Sequence, residues 1–287
     1  PTKLAFTTQP TDTTYGSNIA TVVVKTQDQF GNNSVPTSGA NNVTISLNSG
    51  TGAIAGTLVL DIGSTGIASF SSILANQAGT GNVLRVVATG LTSVDSSSFV
   101  INKATPTVTL AVNNSPVTYD ATAKSATVAQ SGASTPGAVA NILTGGAADQ
   151  TTAGTYAVTA NFVPTDTTNY NTITAQSAGN FVIDKANQTA VTLAGPASAT
   201  FLTTPTLTIG GGSGTGAVTF DVGASTGCTV SGNTLTVVSV SGTCDVTATK
   251  AADTNYNVAS SAATAVTLVK ATPTVTLAVN NSPVTYD

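Results

Sequence analysis

Apolar and polar residues alternate along this chain in short runs. Examples are Thr21-Val22-Val23-Val24, Val43-Thr44-Ile45-Ser46-Leu47, Thr107-Val108-Thr109-Leu110-Ala111-Val112, Leu235-Thr236-Val237-Val238 and Ala265-Val266-Thr267-Leu268-Val269. A period of two places successive side chains on opposite faces of a pleated strand, so each run predicts a strand buried on one side. Val, Ile and Thr suit that surface because branching at Cβ stiffens χ1. Turn-forming clusters separate the runs: Asp28-Gln29-Phe30-Gly31-Asn32, Asn113-Asn114-Ser115-Pro116 and Gly210-Gly211-Gly212-Ser213-Gly214. Gly and Asn tolerate the positive φ that tight turns need. No stretch sustains a 3.6-residue apolar period with caps. The pattern predicts an all-β chain built of sandwiches.

Internal repetition sets the organisation. Residues Lys103 to Asp120 read KATPTVTLAVNNSPVTYD, and Lys270 to Asp287 read the same, 167 positions later. A further Lys-Ala step, Lys185-Ala186, divides that period into intervals of 82 and 85 residues. The two intervals also match each other. Gly154-Thr155-Tyr156-Ala157-Val158-Thr159-Ala160 aligns with Gly242-Thr243-Cys244-Asp245-Val246-Thr247-Ala248, and Asp166-Thr167-Thr168-Asn169-Tyr170-Asn171 aligns with Asp253-Thr254-Asn255-Tyr256-Asn257. Cys244 takes the place of Tyr156, which predicts an inward-facing position for both. A more distant relative of the same unit lies upstream, where Ala78-Gly79-Thr80 precedes a run in which Leu84, Val86 and Ala88 point inward. The expected modules are 1–102, 103–185 and 186–269. Residues 270–287 then form the first strand of a further repeat.

Leu4-Ala5-Phe6, Asp28-Gln29-Phe30-Gly31-Asn32 and Ala78-Gly79-Thr80 resemble the bacterial Ig-like domains of invasin/intimin-type surface proteins. The middle module, with Val117-Thr118-Tyr119-Asp120, Gly154-Thr155-Tyr156 and Asn169-Tyr170-Asn171, is similar to the mostly bacterial Ig-like (MBG) repeat. The third, with Cys228, Gly242-Thr243-Cys244 and Asn255-Tyr256-Asn257, resembles another bacterial Ig-like repeat that often carries a cysteine pair. The resemblance implies tandem Ig-like β-sandwich domains in an elongated array. It also implies a place in long extracellular adhesins, stalks or filaments, where such modules serve mostly as spacers.

Composition narrows the chemistry. Only 7% of the residues are charged, against roughly 25% in ordinary soluble domains. The 12 acids are all Asp, and the chain has no Glu, His, Met or Trp. Eight scattered cations cannot neutralise a phosphate backbone, which excludes nucleic acid as a partner. Without His there is neither a Ser-His-Asp triad nor an imidazole metal site. No paired acids sit in a pocket-forming motif of the kind glycoside hydrolysis needs, so an enzyme is not expected and no cofactor is implied. No apolar run is long enough for a helical membrane span, so no membrane insertion is expected in this segment.

The remaining candidates are few. Cys228 and Cys244 lie 16 positions apart in short alternating runs. They form either a disulfide joining neighbouring strands or two unpaired core thiols. A disulfide points to an extracellular, cell-surface or secreted setting. Asp166 and Asp253 are weak candidates for a calcium site, each with only Asn and Thr nearby, and a turn role competes. Tyr170 and Tyr256 are candidate ligand contacts that could stack on a sugar, unless Asn-Tyr-Asn instead pins its loop to the sandwich edge. Lys103, Lys185 and Lys270 stand at module junctions, a poor place for the burial an isopeptide bond requires. The alternating segment from Thr274 through Val275, Leu277 and Val279 belongs either to a continuous array or to a donor strand for another copy. Expected partners are therefore copies of the chain itself, or a surface glycan or protein. The alternatives to a stalk or filament are a ligand-binding adhesin module and accessory domains of a secreted hydrolase. A surface wetted by hydroxyls and amides rather than ions draws little stability from charge. Melting followed by circular dichroism is expected to shift little between low and high salt; a large shift would contradict this reading.

Overall fold

The computed structural model describes residues 1–37, 41–280, 283, 285 and 286. Among them the regular structure is β-strand apart from a single 3-10 turn at Gly63–Thr65. The chain forms two compact units. The first contains Pro1–Asn114, Ser125–Ala148 and Ala157–Asn180; the second contains Ser115–Lys124, Asp149–Tyr156 and Phe181–Asp287.

In the first unit, one sheet carries Lys3–Thr8, Val22–Gln27 and Ile67–Phe70 in that spatial order, all antiparallel. A second sheet runs Thr13–Thr14, Phe99–Asn102, Gly79–Ala88, Asn42–Ser49 and Val59–Asp61. Its first pair is parallel and the rest are antiparallel. The alternation written in the sequence is what closes the sandwich. Leu4, Val22, Val24, Ala68 and Phe70 from one sheet meet Val43, Ile45, Leu84, Val86, Phe99 and Ile101 from the other in one buried cluster. Val23 and Arg85, one position out of phase, lie outside that buried set. The same unit pairs Thr109–Val112 with Val128–Ser131, and Gly137–Thr144 with residues 158–164 of the long strand Gly154–Pro164. Leu110, Val158, Ala160 and Phe162 are buried there.

In the second unit, Thr192–Ala194 pairs with Thr208–Gly210, and Cys228–Ser231 with Thr234–Val237. Val218–Asp221 lies antiparallel to Asp245–Lys250, which also takes Ala259–Ser260 and Thr264–Ala265. Ser198–Thr200 runs parallel to Thr267–Val269. Val117–Thr118 runs parallel to Ile183 and Asp184 at the end of the strand Ile173–Asp184. Leu207, Leu235, Val237, Val246 and Val266 form the buried cluster, together with both cysteines.

One pairing scheme therefore occurs three times along the chain. A first strand lies antiparallel to a third: Lys3–Thr8 with Val22–Gln27, Thr109–Val112 with Val128–Ser131, and Thr192–Ala194 with Thr208–Gly210. A short second strand lies parallel to the last: Thr13–Thr14 with Phe99–Asn102, Val117–Thr118 with Ile183 and Asp184, and Ser198–Thr200 with Thr267–Val269. Two antiparallel sheets with this division of strands make an immunoglobulin-like β-sandwich. The buried cluster of the first unit ends at Ile101, and that of the second begins at Ala199.

Three details differ from the sequence expectations. Cys228 and Cys244 are bonded, with their Cα atoms 5.5 Å apart, but their strands are not neighbours. Cys228 opens a ladder with Thr234–Val237, whereas Cys244 precedes Asp245–Lys250 of a different sheet. Alternation reports which way a side chain faces, not which sheet holds it. Tyr156 is half-buried rather than a core plug like Cys244. Its hydroxyl needs a partner and finds Thr152, donating to the backbone carbonyl at 2.8 Å. The glycine shared by Ala78-Gly79-Thr80 and Ser241-Gly242-Thr243 has a steric reason. A Cβ on Gly79 would lie 2.1 Å from the Gly52 nitrogen, and one on Gly242 would lie 2.6 Å from the Gly227 nitrogen. Residues 271–279 form no strand, and Val275, Leu277 and Val279 are 74%, 92% and 77% exposed.

The cystine closes a loop across two sheets and sits in the core, with both cysteines almost fully buried. Replacing both cysteines by Ala is expected to lower the stability of the second unit by about 3 kcal/mol. Thermal unfolding followed by circular dichroism should show that transition moving down while the first unit's transition stays in place.

Candidate functional site

The recurring Lys-Ala steps and the Asn-Tyr-Asn loops come together. In the first unit, the strand Phe99–Asn102 runs into Lys103-Ala104. The Ala104 N–H donates to the Asn169 carbonyl at 2.8 Å, and the Asn171 N–H donates to the Ala104 carbonyl at 2.8 Å. The Lys103 ammonium donates to the Thr167 carbonyl at 2.6 Å, and Asn171 Nδ2 donates to the Lys103 carbonyl. Two more contacts reach past the step. Asn169 Oδ1 accepts the Ala78 N–H at 2.8 Å, and the Tyr170 ring meets Tyr15 edge to face with centroids 5.4 Å apart. Tyr15 is placed by its own N–H, which donates to the Asn102 carbonyl.

The second unit repeats this arrangement with different residues. Ala186 and Asn257 exchange the same backbone bonds: Ala186 N–H to the Asn255 carbonyl and Asn257 N–H to the Ala186 carbonyl, both 2.9 Å. Lys185 donates to the Asp253 carbonyl at 2.6 Å. Asn255 Oδ1 accepts the Ala153 N–H at 2.9 Å. Tyr256 meets Tyr119 edge to face at 5.4 Å, and the Tyr119 N–H donates to the Asp184 carbonyl. Here Gln188 adds a polar plug, its Nε2 donating to the Asn257 carbonyl at 2.8 Å.

The two aspartates hold the loops in shape. Asp166 accepts the N–H groups of Thr168 and Asn169 and the Asn169 side-chain amide. Those bonds, the Asn169 side chain foremost, hold its carboxyl below the ordinary carboxylate range. Asp253 accepts the Thr215 N–H at 2.6 Å and the N–H groups of Asn255 and Tyr256. Chiefly through the Thr215 backbone bond, its pKa falls to about 2. Their carboxylate oxygens are thus committed to backbone N–H groups, the Asn169 side-chain amide and the Thr215 hydroxyl, and among the described residues no group of three or more His, Cys, Asp or Glu is placed to hold a metal. Tyr170 and Tyr256, the candidate sugar contacts, are half-buried against partner rings, so a ligand would have to displace an aromatic pair. Lys103 and Lys185 are exposed and hydrogen-bonded to carbonyls.

The partners Tyr15 and Tyr119 were not singled out as contact residues from the sequence. Their signal was nonetheless present: each follows a short Thr- or Val-Thr-containing segment that becomes the parallel second strand.

No family model matches the chain, and no curated protein matches it. Among solved structures it is similar to one described as Sidekick-1 immunoglobulin domains 1-5, at 10% identity and a TM-score of 0.21. That match covers 93% of this chain and 59% of the other, so the chain spans less than two thirds of its length. The immunoglobulin-like description rests on the strand pairing.

A carboxylate with a depressed pKa contributes stability that is complete above its unfolded value and lost as pH falls through the folded one. For Asp253 that window runs from the ordinary carboxylate value of 3.8 down to about 2. The Tyr256 ring resonances, followed by NMR, are expected to hold constant from neutral pH to the top of this window and to shift within it. A transition centred nearer neutrality would show that another group controls the loop.

Proposed function

We propose that this chain is a non-enzymatic, load-bearing segment of a long extracellular surface protein. On this reading it consists of tandem bacterial Ig-like modules, 1–102, 103–185 and 186–269, the second of MBG type, serving as stalk or filament repeats with a surface-assembly or adhesive role. The observation that carries the proposal is the parallel pairing of second and last strands, found in all three segments. Each last strand leads directly into a Lys-Ala step. Tension entering near the second strand and leaving through the last pulls the two in opposite directions along their length. Their hydrogen bonds are then strained together, in shear, rather than opened one at a time. A catalyst gains nothing from such a layout, whereas a tether does.

The junctions support the same reading. At Lys103-Ala104 and Lys185-Ala186 the two-residue connection has both backbone polar groups of its alanine paired, leaving little slack. The buried cystine limits extension of the last segment and agrees with an oxidising, extracellular setting. The acids with depressed pKa values sit in turns and ion pairs, bound to neighbouring amides, hydroxyls or cations, not facing one another across a pocket.

Single-molecule stretching tests this directly. Separate unfolding steps at resolvable force are expected, one of them shortened by the cystine. Reduction should lengthen that step by about 50 Å, the reach of the 16-residue span at roughly 3.5 Å per residue. Extension without resolvable steps would remove the load-bearing role.

A further inference from the structure

Phe201 occupies the position of Tyr15 and Tyr119. Like them it follows the parallel second strand, here Ser198–Thr200, and its N–H donates to the residue before a Lys-Ala step, the Val269 carbonyl at 2.8 Å. Lys270-Ala271 then corresponds to Lys103-Ala104 and Lys185-Ala186. Ser241, which precedes Gly242-Thr243 as Ala78 precedes Gly79-Thr80 and Ala153 precedes Gly154-Thr155, supplies the third element. The parts that receive an Asn-Tyr-Asn loop at the two junctions are thus assembled a third time. At this third site, however, neither the N–H nor the C=O of Ala271 has a partner among the described residues. The Ser241 N–H makes only a long 3.3 Å bond to Ser239 Oγ, where Ala78 and Ala153 bond an Asn side chain at 2.8 and 2.9 Å. Where the tyrosine of a loop would lie there is an open cavity of about 460 Å³, lined by Phe201, Val238, Ser239, Val240, Lys270 and Ala271. Val238 is 47% exposed at its edge.

We infer that this cavity is a docking socket for the Asp-Thr-Thr-Asn-Tyr-Asn loop of a second copy of residues 103–185. The inference rests on the tandem-module reading and adds the contact surface and its occupant. The occupant is identified by the residues around Lys270: they repeat Lys103 to Asp120 letter for letter, and the module opening with those letters carries the Asp166–Asn171 loop. In the docked state the Ala271 N–H donates to the carbonyl of the first Asn, and the Ala271 carbonyl accepts the N–H of the second. The first Asn side chain accepts the Ser241 N–H. The incoming tyrosine meets Phe201 edge to face, an arrangement that the quadrupoles of Phe and Tyr rings favour alike. Phe201 lacks the phenol of Tyr15 and Tyr119, and neither of those hydroxyls has a hydrogen bond among the described residues, so the substitution keeps the contact.

Two measurements test the socket. In the first, a second copy of residues 103–185 follows Val269 in place of residues 270–287. Hydrogen exchange at the Ser241 amide is expected to slow by about tenfold relative to the parent chain, with the Ala78 amide as internal reference. Phe201→Ala should abolish the gain and Phe201→Tyr should keep it. In the second, a synthetic peptide of residues Asp166–Asn171 is titrated into the isotope-labelled parent chain. Saturable NMR shifts are expected at Phe201, Val240, Ser241 and Ala271, and a peptide carrying Tyr170→Ala should produce none. Either signal at these residues supports the socket, and absence of both overturns it. A chain that still unfolds in separate steps under force, yet shows neither signal, keeps the load-bearing role and loses the socket.

Discussion

At Lys103-Ala104 and Lys185-Ala186 one alanine past the end of a strand turns both its N–H and its C=O outward, and much of the molecule is arranged around that residue. A chain with so few ions cannot secure a joint by charge, and exposed ion pairs would contribute little in any case. It uses instead the strongest directional groups it has in quantity, backbone amides and Asn side chains. The exchange of two backbone bonds between Ala104 and the Asn169–Asn171 stretch, and again between Ala186 and Asn255–Asn257, is a one-residue piece of parallel sheet. The aspartate that shapes each loop, the lysine that reaches its carbonyl and the paired rings all serve to hold that piece in register.

The loops show how local order is prepared for this contact. Asp166 and Asp253 gather the N–H groups of the following residues, so the Asn and Tyr side chains are presented with little freedom left to lose. Thr215 deepens the effect at Asp253, which accounts for the stronger depression of its pKa. In the first unit Pro106 is buried where the second places Gln188. One joint excludes water with a ring and the other satisfies three carbonyls with a side-chain amide.

Much of the fold was legible because alternation is a local property. Val22 and Val24, Val43 and Ile45, and Leu84 and Val86 are buried where a period of two requires. The cysteines were legible as inward-facing, but their sheets were not, since a strand's partner depends on connections that lie far away in sequence. The same limit hid the aromatic pairs. Tyr15 and Tyr170 are 155 positions apart, and Tyr119 and Tyr256 are 137 apart, so no window of the sequence contains both members. The Asn-Tyr-Asn loops stood out because they recur; their receiving surface did not, because it is assembled from three separate stretches, one of which replaces Tyr with Phe. Tyr156 misled for a chemical reason, its hydroxyl drawing a ring expected in the core toward Thr152.

That the clasping bonds fall mostly on main-chain atoms has a consequence for inheritance. Main-chain atoms do not change when side chains mutate, so an interior can be rebuilt, as with a cystine in one segment and none in another, without altering how that segment meets its neighbour. In the tandem array proposed above, segments with different interiors become interchangeable parts, and a gene encoding them can gain or lose units by recombination between identical stretches such as the one shared by Lys103–Asp120 and Lys270–Asp287. In such an array, reach would be adjusted by counting units, with no new joint to invent.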